Sequence, residues 1–181
     1  MPLGNPVPGV RGYAFEKRGT PMNSRELFVK CLKNEIPIFL RVFKAVPPAE
    51  AAYRPHPKST SAGDLVWMLA GELHDAEVLA RKYEVSFELG AAPPVPEAIA
   101  AYEKNAAALE KALAAVDDAA WARPAKFLVG GNVAWEAPLG EMLWGFLFDA
   151  IHHRGQLSAY LRPMGAKVPS IYGPSGDDPG Q

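Results

Sequence analysis

Cysteine is almost missing from this chain: Cys31 is the only one in 181 residues. An intramolecular disulfide is excluded, and a cysteine-built zinc site lacks ligands. Leu27, Leu32 and Glu35 place Cys31 on a helix, where a lone cysteine reads as a small core residue. An excess of either charge is missing too. Nineteen Lys and Arg stand against twenty Asp and Glu, for a formal net charge of −1. Without a basic face there is no electrostatic footprint for nucleic acid, so no nucleic-acid partner is expected. The N-terminus shows no basic-then-apolar signal peptide, and no uninterrupted apolar run is long enough to span a bilayer. The stretch from Met142 to Leu161 comes nearest, but Asp149, His152, His153 and Arg154 inside it argue against lipid. These absences predict a soluble, cytoplasmic protein with no membrane partner. Repeats, low-complexity tracts and strong strand patterns are absent as well.

What remains is helix. Hydrophobic residues make up 49% of the chain, enough for one domain with a real core. Residues 1–22, broken by Pro2, Pro6, Pro8 and Pro21 and loosened by several glycines, read as an extended arm. Asn23-Ser24-Arg25-Glu26 is a capping box. The helix behind it runs to about Val46, with Leu27, Phe28, Cys31, Leu32, Ile36, Phe39, Leu40 and Phe43 as its apolar stripe. Pro37 lies inside it and predicts a kink or a brief interruption. Ser61-Ala62-Gly63-Asp64 caps a second helix to about Tyr83, whose stripe Leu65, Met68, Leu69, Leu73, Ala76 and Leu79 contains one carboxylate, Glu72. A third helix follows Pro93-Pro94 to about Val116. Asp117-Asp118 caps a short turn containing Trp121. Residues 127–137, with Gly130-Gly131 at their centre, fit either a small hairpin or an irregular crossing loop. Pro138 suits the first turn of a last helix ending near Arg162. Four helices in series predict an all-α antiparallel four-helix bundle over residues 23–165, followed by an irregular tail, 166–181, that Ile171 and Tyr172 can dock.

The last helix carries the chemistry. It is apolar on most sides, yet it holds Asp149, His152, His153, Arg154 and Gln156, and such groups are costly to bury without partners. Asp149 and His153 are four apart and point the same way; Gln156 and Tyr160 continue that face. A carboxylate and an imidazole at this spacing bind a divalent metal or form a hydrogen-bonded core pair. Glu72, on the apolar side of the second helix, is the best third ligand. Glu72, Asp149 and His153 together would suit zinc, nickel, iron or manganese. His152, Gln156 and Tyr160 are candidates for orienting a substrate or supporting the ligands. Arg154 is a candidate partner for Glu72 or Asp149. Gly155 costs about 1 kcal/mol of helix propensity, for which a close helix crossing is the usual compensation. His74, on another side of its helix, and His56, between two prolines, read as edge or surface residues. The four tryptophans and the pair Phe146 and Phe148 read as core.

The segment Phe148-Asp149-Ala150-Ile151-His152-His153-Arg154-Gly155-Gln156-Leu157, with Tyr160-Leu161-Arg162 and Gly165 after it, resembles the last helix of DinB-like proteins. That four-helix superfamily includes YfiT-type proteins and bacterial thiol-dependent transferases. The tail Val168-Pro169-Ser170-Ile171-Tyr172-Gly173-Pro174-Ser175 looks like one subgroup of it. The resemblance implies a divalent metal held by three histidines, one on the second helix and two spaced by four on the last. His153 matches the last of these. Asp149 stands where its partner histidine is usual, and the helix-two histidine falls near Met68. Two outcomes follow: a site rebuilt from Glu72, Asp149 and His153, or a lost metal and a structural cluster. The function implied is a metal-dependent thiol transferase or hydrolase. The alternative is a non-catalytic, stress-related binding protein whose polar cluster fixes helix register. Either form is expected to be a homodimer.

Overall fold

A computed structural model describes residues 22–180. The expected arm, residues 1–22, lies outside the described residues except for Met22. Four long helices carry the fold: α1 (Ser24–Lys44), α2 (Ala62–Lys82), α3 (Val95–Leu113) and α5 (Leu139–Leu161), with the short α4 (Asp118–Trp121) before the last. The capping box closes α1: the Glu26 N–H donates to Asn23 Oδ1 at 2.8 Å and the Asn23 N–H to Glu26 Oε2 at 3.1 Å. Ser61 and Asp117 cap α2 and α4 by accepting from the Asp64 and Ala120 N–H groups, without the reciprocal bond. Pro37 does not interrupt α1. It lies on the exposed side of the helix, as does Lys33, whose carbonyl it leaves without its helical donor. Leu27 is not part of the apolar stripe; it is exposed at the outer edge of α1.

The all-α expectation fails on one element. Glu84–Ser86 (β1), Pro124–Val129 (β2) and Asn132–Pro138 (β3) form a three-stranded sheet in the order β1-β2-β3. β1 runs parallel to β2, and β2 antiparallel to β3. Of the two readings of residues 127–137, the hairpin is the one formed. Gly130 and Gly131 make its two-residue turn at φ of +58° and +80°, a backbone shape that glycine adopts without strain. The strand signal was weak because the strands are short, and a single hydrophobic face is shared among Phe127, Trp135 and Ala137. The protein is thus mostly helical with a small sheet against one side. None of its described helices is long and apolar enough to cross a membrane.

The long helices share one apolar core, built from Phe28, Phe39, Phe43, Leu65, Leu69, Leu79, Tyr102, Leu109, Leu143 and their neighbours. α2 is central: it packs against α3, α5 and β1, which is why Ala62, Val66, Ala70 and Ala80 are buried as well as its main stripe. The sheet rests on α5 and on the C-terminal half of α2. Two tryptophans approach α5 closely because glycine leaves them room. A Cβ at Gly140 would meet the Trp121 ring at 2.2 Å, and one at Gly145 the Trp135 ring at 2.4 Å. Gly155 differs: no heavy atom lies within 4 Å of the position its Cβ would take, so it is not the close crossing that its composition suggested. Phe148 also departs from the core expectation. It is 62% exposed, stacked on Trp144 with ring centroids 5.5 Å apart.

These glycines separate two stability outcomes. Gly155→Ala is expected to raise stability by about 0.5–1 kcal/mol through helix propensity alone. Gly140→Ala is expected to lower it by about 1–3 kcal/mol, because Trp121 must leave its seat. Urea unfolding followed by circular dichroism measures both.

Candidate metal centre

Glu72 projects from α2 toward α5 at the level of Asp149. Its helix places it there because it continues the row Leu65, Leu69, Leu73 and Ala76 that faces the core. On α5, Asp149 and His153 are one turn apart and form a pair, His153 Nε2 to Asp149 Oδ2, at 3.4 Å. Glu72, Asp149 and His153 each offer one ligand atom, and these atoms all lie within 4.8 Å of one another. Donors about 2.1 Å from a common ion stand roughly 3.0–3.4 Å apart, so modest side-chain rotation closes the set. The other ring nitrogen of His153 is also engaged: Nδ1–H donates to Gln156 Oε1 at 3.2 Å. In the neutral ring this leaves Nε2 as the acceptor facing the two carboxylates, the arrangement by which supporting groups orient a ligating histidine.

The electrostatics of Glu72 are those of a buried acid facing a second carboxylate. Burial, and after it the Asp149 carboxylate, push its carboxyl from 4.5 up to about 9. Glu72 Oε2 is buried without a hydrogen-bond partner among the described residues. On one side the residue borders an apolar cavity of about 20 Å³, lined by side chains such as Phe28, Leu69, Leu109 and Leu143. On the other it opens, with Asp149, into a cleft of about 440 Å³. A dication beside Glu72 would reverse this logic and stabilise the ionised form. The donor set, one imidazole with two carboxylates, therefore fits a divalent ion, and the orphaned oxygen is the observation that says so.

Of the supporting residues named from sequence, Gln156 is the one that bonds to the centre. His152 is exposed, with its ring 5.1 Å from that of His153. Tyr160 lies on the same face but two turns further on, buried against Tyr53 with ring centroids 5.7 Å apart. Arg154 is a correction. It pairs with neither Glu72 nor Asp149, because it projects about 100° around the helix from His153. It is 1% exposed and pairs instead with Glu35 of α1. Its other arm donates to the Tyr172 hydroxyl at 2.6 Å, and that hydroxyl donates to Glu35 Oε1 at 2.9 Å. The Phe39 ring lies 4.5 Å below the guanidinium. This triad fastens the C-terminal segment to α1 and α5. Glu35 sits three residues after Leu32 and four before Phe39, a carboxylate inside an apolar stripe. That signal was present and was passed over. Asp75 was also missed. It is buried beside the cleft, and desolvation raises its carboxyl from 3.8 to about 6. His74 is exposed, and exposed His56 accepts a hydrogen bond from the Lys58 N–H.

The DinB family model matches residues 38–180. Among solved structures, a DinB-like protein from Bacillus cereus superimposes with a TM-score of 0.66 at 17% identity, covering 80% of this chain and 95% of that one. A DinB-like protein from Bacillus subtilis superimposes with a TM-score of 0.64 at 16% identity, covering 78% and 93%. At such identities the likeness is one of fold. Among curated proteins, none matches the chain.

Two measurements follow from the buried groups. Between pH 4.5 and about 9 the folded, ion-free protein holds a proton on Glu72 that the unfolded chain has lost, so stability falls as pH rises through that window. Glu72→Gln is expected to flatten this slope in a pH series of urea titrations. Arg154→Met is expected to cost about 3–5 kcal/mol, because it leaves the buried Glu35 charge without its countercharge. Adding Glu35→Leu is expected to recover most of that loss in the same assay.

Proposed function

Because the chain belongs to the DinB family, we propose that it is a divalent-metal-dependent enzyme of the thiol-transferase or hydrolase kind. It works as a cytoplasmic homodimer on an antiparallel four-helix scaffold. The observation that supports this reading is the convergence of Glu72, Asp149 and His153 beside an open cleft, with one Glu72 oxygen left unpartnered. These three residues would hold the ion, with zinc, nickel, iron and manganese as the candidates. Bound there, a dication supplies Lewis acidity toward a substrate oxygen or sulfur.

The remaining work belongs to the chain. Gln156 keeps His153 Nε2 aimed at the carboxylates by accepting the Nδ1 proton. Glu72 gives up its proton when the ion enters, so loading is coupled to proton release. Phe127, Trp135 and Phe146 give the open cleft an apolar wall against which a substrate body can pack.

A second reading draws on the same electrostatics. With its carboxyl pushed up to about 9, Glu72 is protonated at neutral pH and faces the Asp149 carboxylate. Such an acid–carboxylate pair joins α2 to α5 without any ion. In that case the protein is a non-catalytic binding module and the cluster sets helix register.

Metal analysis and calorimetry separate the two. The metal-dependent reading expects about one ion per chain, with roughly one proton released per ion bound at pH 7. Glu72→Ala and His153→Ala are expected to weaken binding about 100-fold or more. Wild-type protein that takes up none of the four ions, and whose melting temperature chelator leaves unchanged, would overturn it in favour of the register pair.

A further inference from the structure

The cleft beside Glu72 and Asp149 is not built like a featureless opening. Its wall is a continuous run of four aromatic rings. Phe87 and Phe127 have centroids 6.0 Å apart, Phe127 and Phe146 5.5 Å, and Trp135 and Phe146 6.3 Å. Three elements assemble the run. Phe127 and Trp135 are directly paired across β2 and β3, and Phe146 comes from α5. Phe87 is held in line by its N–H, which donates to the Leu128 carbonyl at 2.8 Å. Phe87 remains 40% exposed, and the cleft volume of about 440 Å³ lies in the range of small-molecule sites.

The charge lining this wall has one sign. Glu72, Asp75 and Asp149 are its ionisable residues, and no Lys, Arg or His lines it among the described residues. An ion held by Glu72 and Asp149 would neutralise those two and leave Asp75. That carboxylate is 8% exposed and has no hydrogen-bond or ion-pair partner among the described residues; burial and the neighbouring His74 are what act on its charge. On its far side Asp75 borders a groove holding His74, Lys82, Glu84 and Glu88, none of them bonded to it. Asp75 lines the cleft with no protein donor on it, so a ligand's donor can take the place of water there, and aromatic ring faces favour a cation.

We propose that this cleft binds an aromatic or otherwise apolar amine, whose ammonium group is received by Asp75 and whose body lies along Phe87, Phe127, Phe146 and Trp135. Asp75 and Glu72 are three residues apart on α2, so their side chains are neighbours about 5–6 Å apart at Cβ. An amine seated at Asp75 therefore extends its reacting end toward Glu72, Asp149 and His153. The inference deepens the proposed enzymatic reading and rests on it for the direction in which the substrate points. The binding itself does not need the ion.

The test is calorimetric binding of three matched probes, 2-phenylethylamine, 2-phenylethanol and 3-phenylpropionate, to the full chain with ion and with chelator. The amine is expected to bind about tenfold or more tightly than the alcohol in both states. Asp75→Asn is expected to bring the two within about threefold, whereas Asp149→Asn retains the preference and Trp135→Ala weakens all three probes together. An amine that binds no better than the alcohol to wild-type protein overturns the proposal, and so does a preference that survives Asp75→Asn. The wild-type comparison needs no variant to fold. A preference that persists in chelator upholds the amine site even if no ion binds. A lost preference in a protein that does bind an ion removes the amine and leaves the metal reading standing.

Discussion

A carboxyl group taken out of water must be neutralised, paired or given an ion, and Glu72 meets that choice at the seam between α2 and α5. Glu72 lies in the core-facing row of its helix, between the apolar interior and the cleft. Asp149 stands opposite and makes ionisation costlier still. The sheet lines the cleft with aromatic rings, and Asp149 keeps 58% of its side chain exposed there. Each of these features makes sense relative to the others: the orphaned oxygen, the oriented histidine and the aromatic wall are consequences of one desolvated acid.

Helix α5 serves two polar centres at once. Asp149, His153 and Gln156 share one face and line up toward α2 and the cleft. Arg154, a residue further round, is buried on another side with Glu35 and Tyr172. An apolar helix can carry both because Arg154 is paired with Glu35 and Tyr172 while Asp149 and His153 pair with each other at the edge of the cleft. The two also divide the labour. The Arg154 triad ties α1, α5 and the C-terminal segment together, while the other cluster faces open space. Asp177 and Asp178 reinforce the first by accepting from the Val168 and Ser170 N–H groups, and Arg162 donates to Asp177.

Much of this was legible in the chain before folding. The capping residues Asn23, Ser61 and Asp117 mark helix starts because a side chain that satisfies free N–H groups leaves a local signature. Glu72 stood out because a single carboxylate interrupts an apolar row, and Asp149 and His153 because a spacing of four puts them on one face. The sheet was poorly legible. The strands carry little periodicity, and β1 pairs with β2 across a long intervening segment of loop and helix, a contact that no local pattern encodes. Glu35 and Asp75 were legible in principle, as charges at core-facing spacings, yet each acquires meaning only from what lies across the interface.

The sequence by itself determined the helices, their caps, the polar run on the last helix and the one-face pairing of Asp149 with His153. These follow from interactions within a few residues, which propensity and spacing record directly. Tertiary structure alone decided that Arg154 belongs to Glu35 and Tyr172, that Gly140 and Gly145 rather than Gly155 make room for neighbours, and that Phe87, Phe127 and Trp135 wall a cleft beside Glu72. Those outcomes depend on which surfaces meet after the chain has packed. Burial, which sets the charge state of Glu72 and Asp75, is a property of the packed assembly and of no single segment.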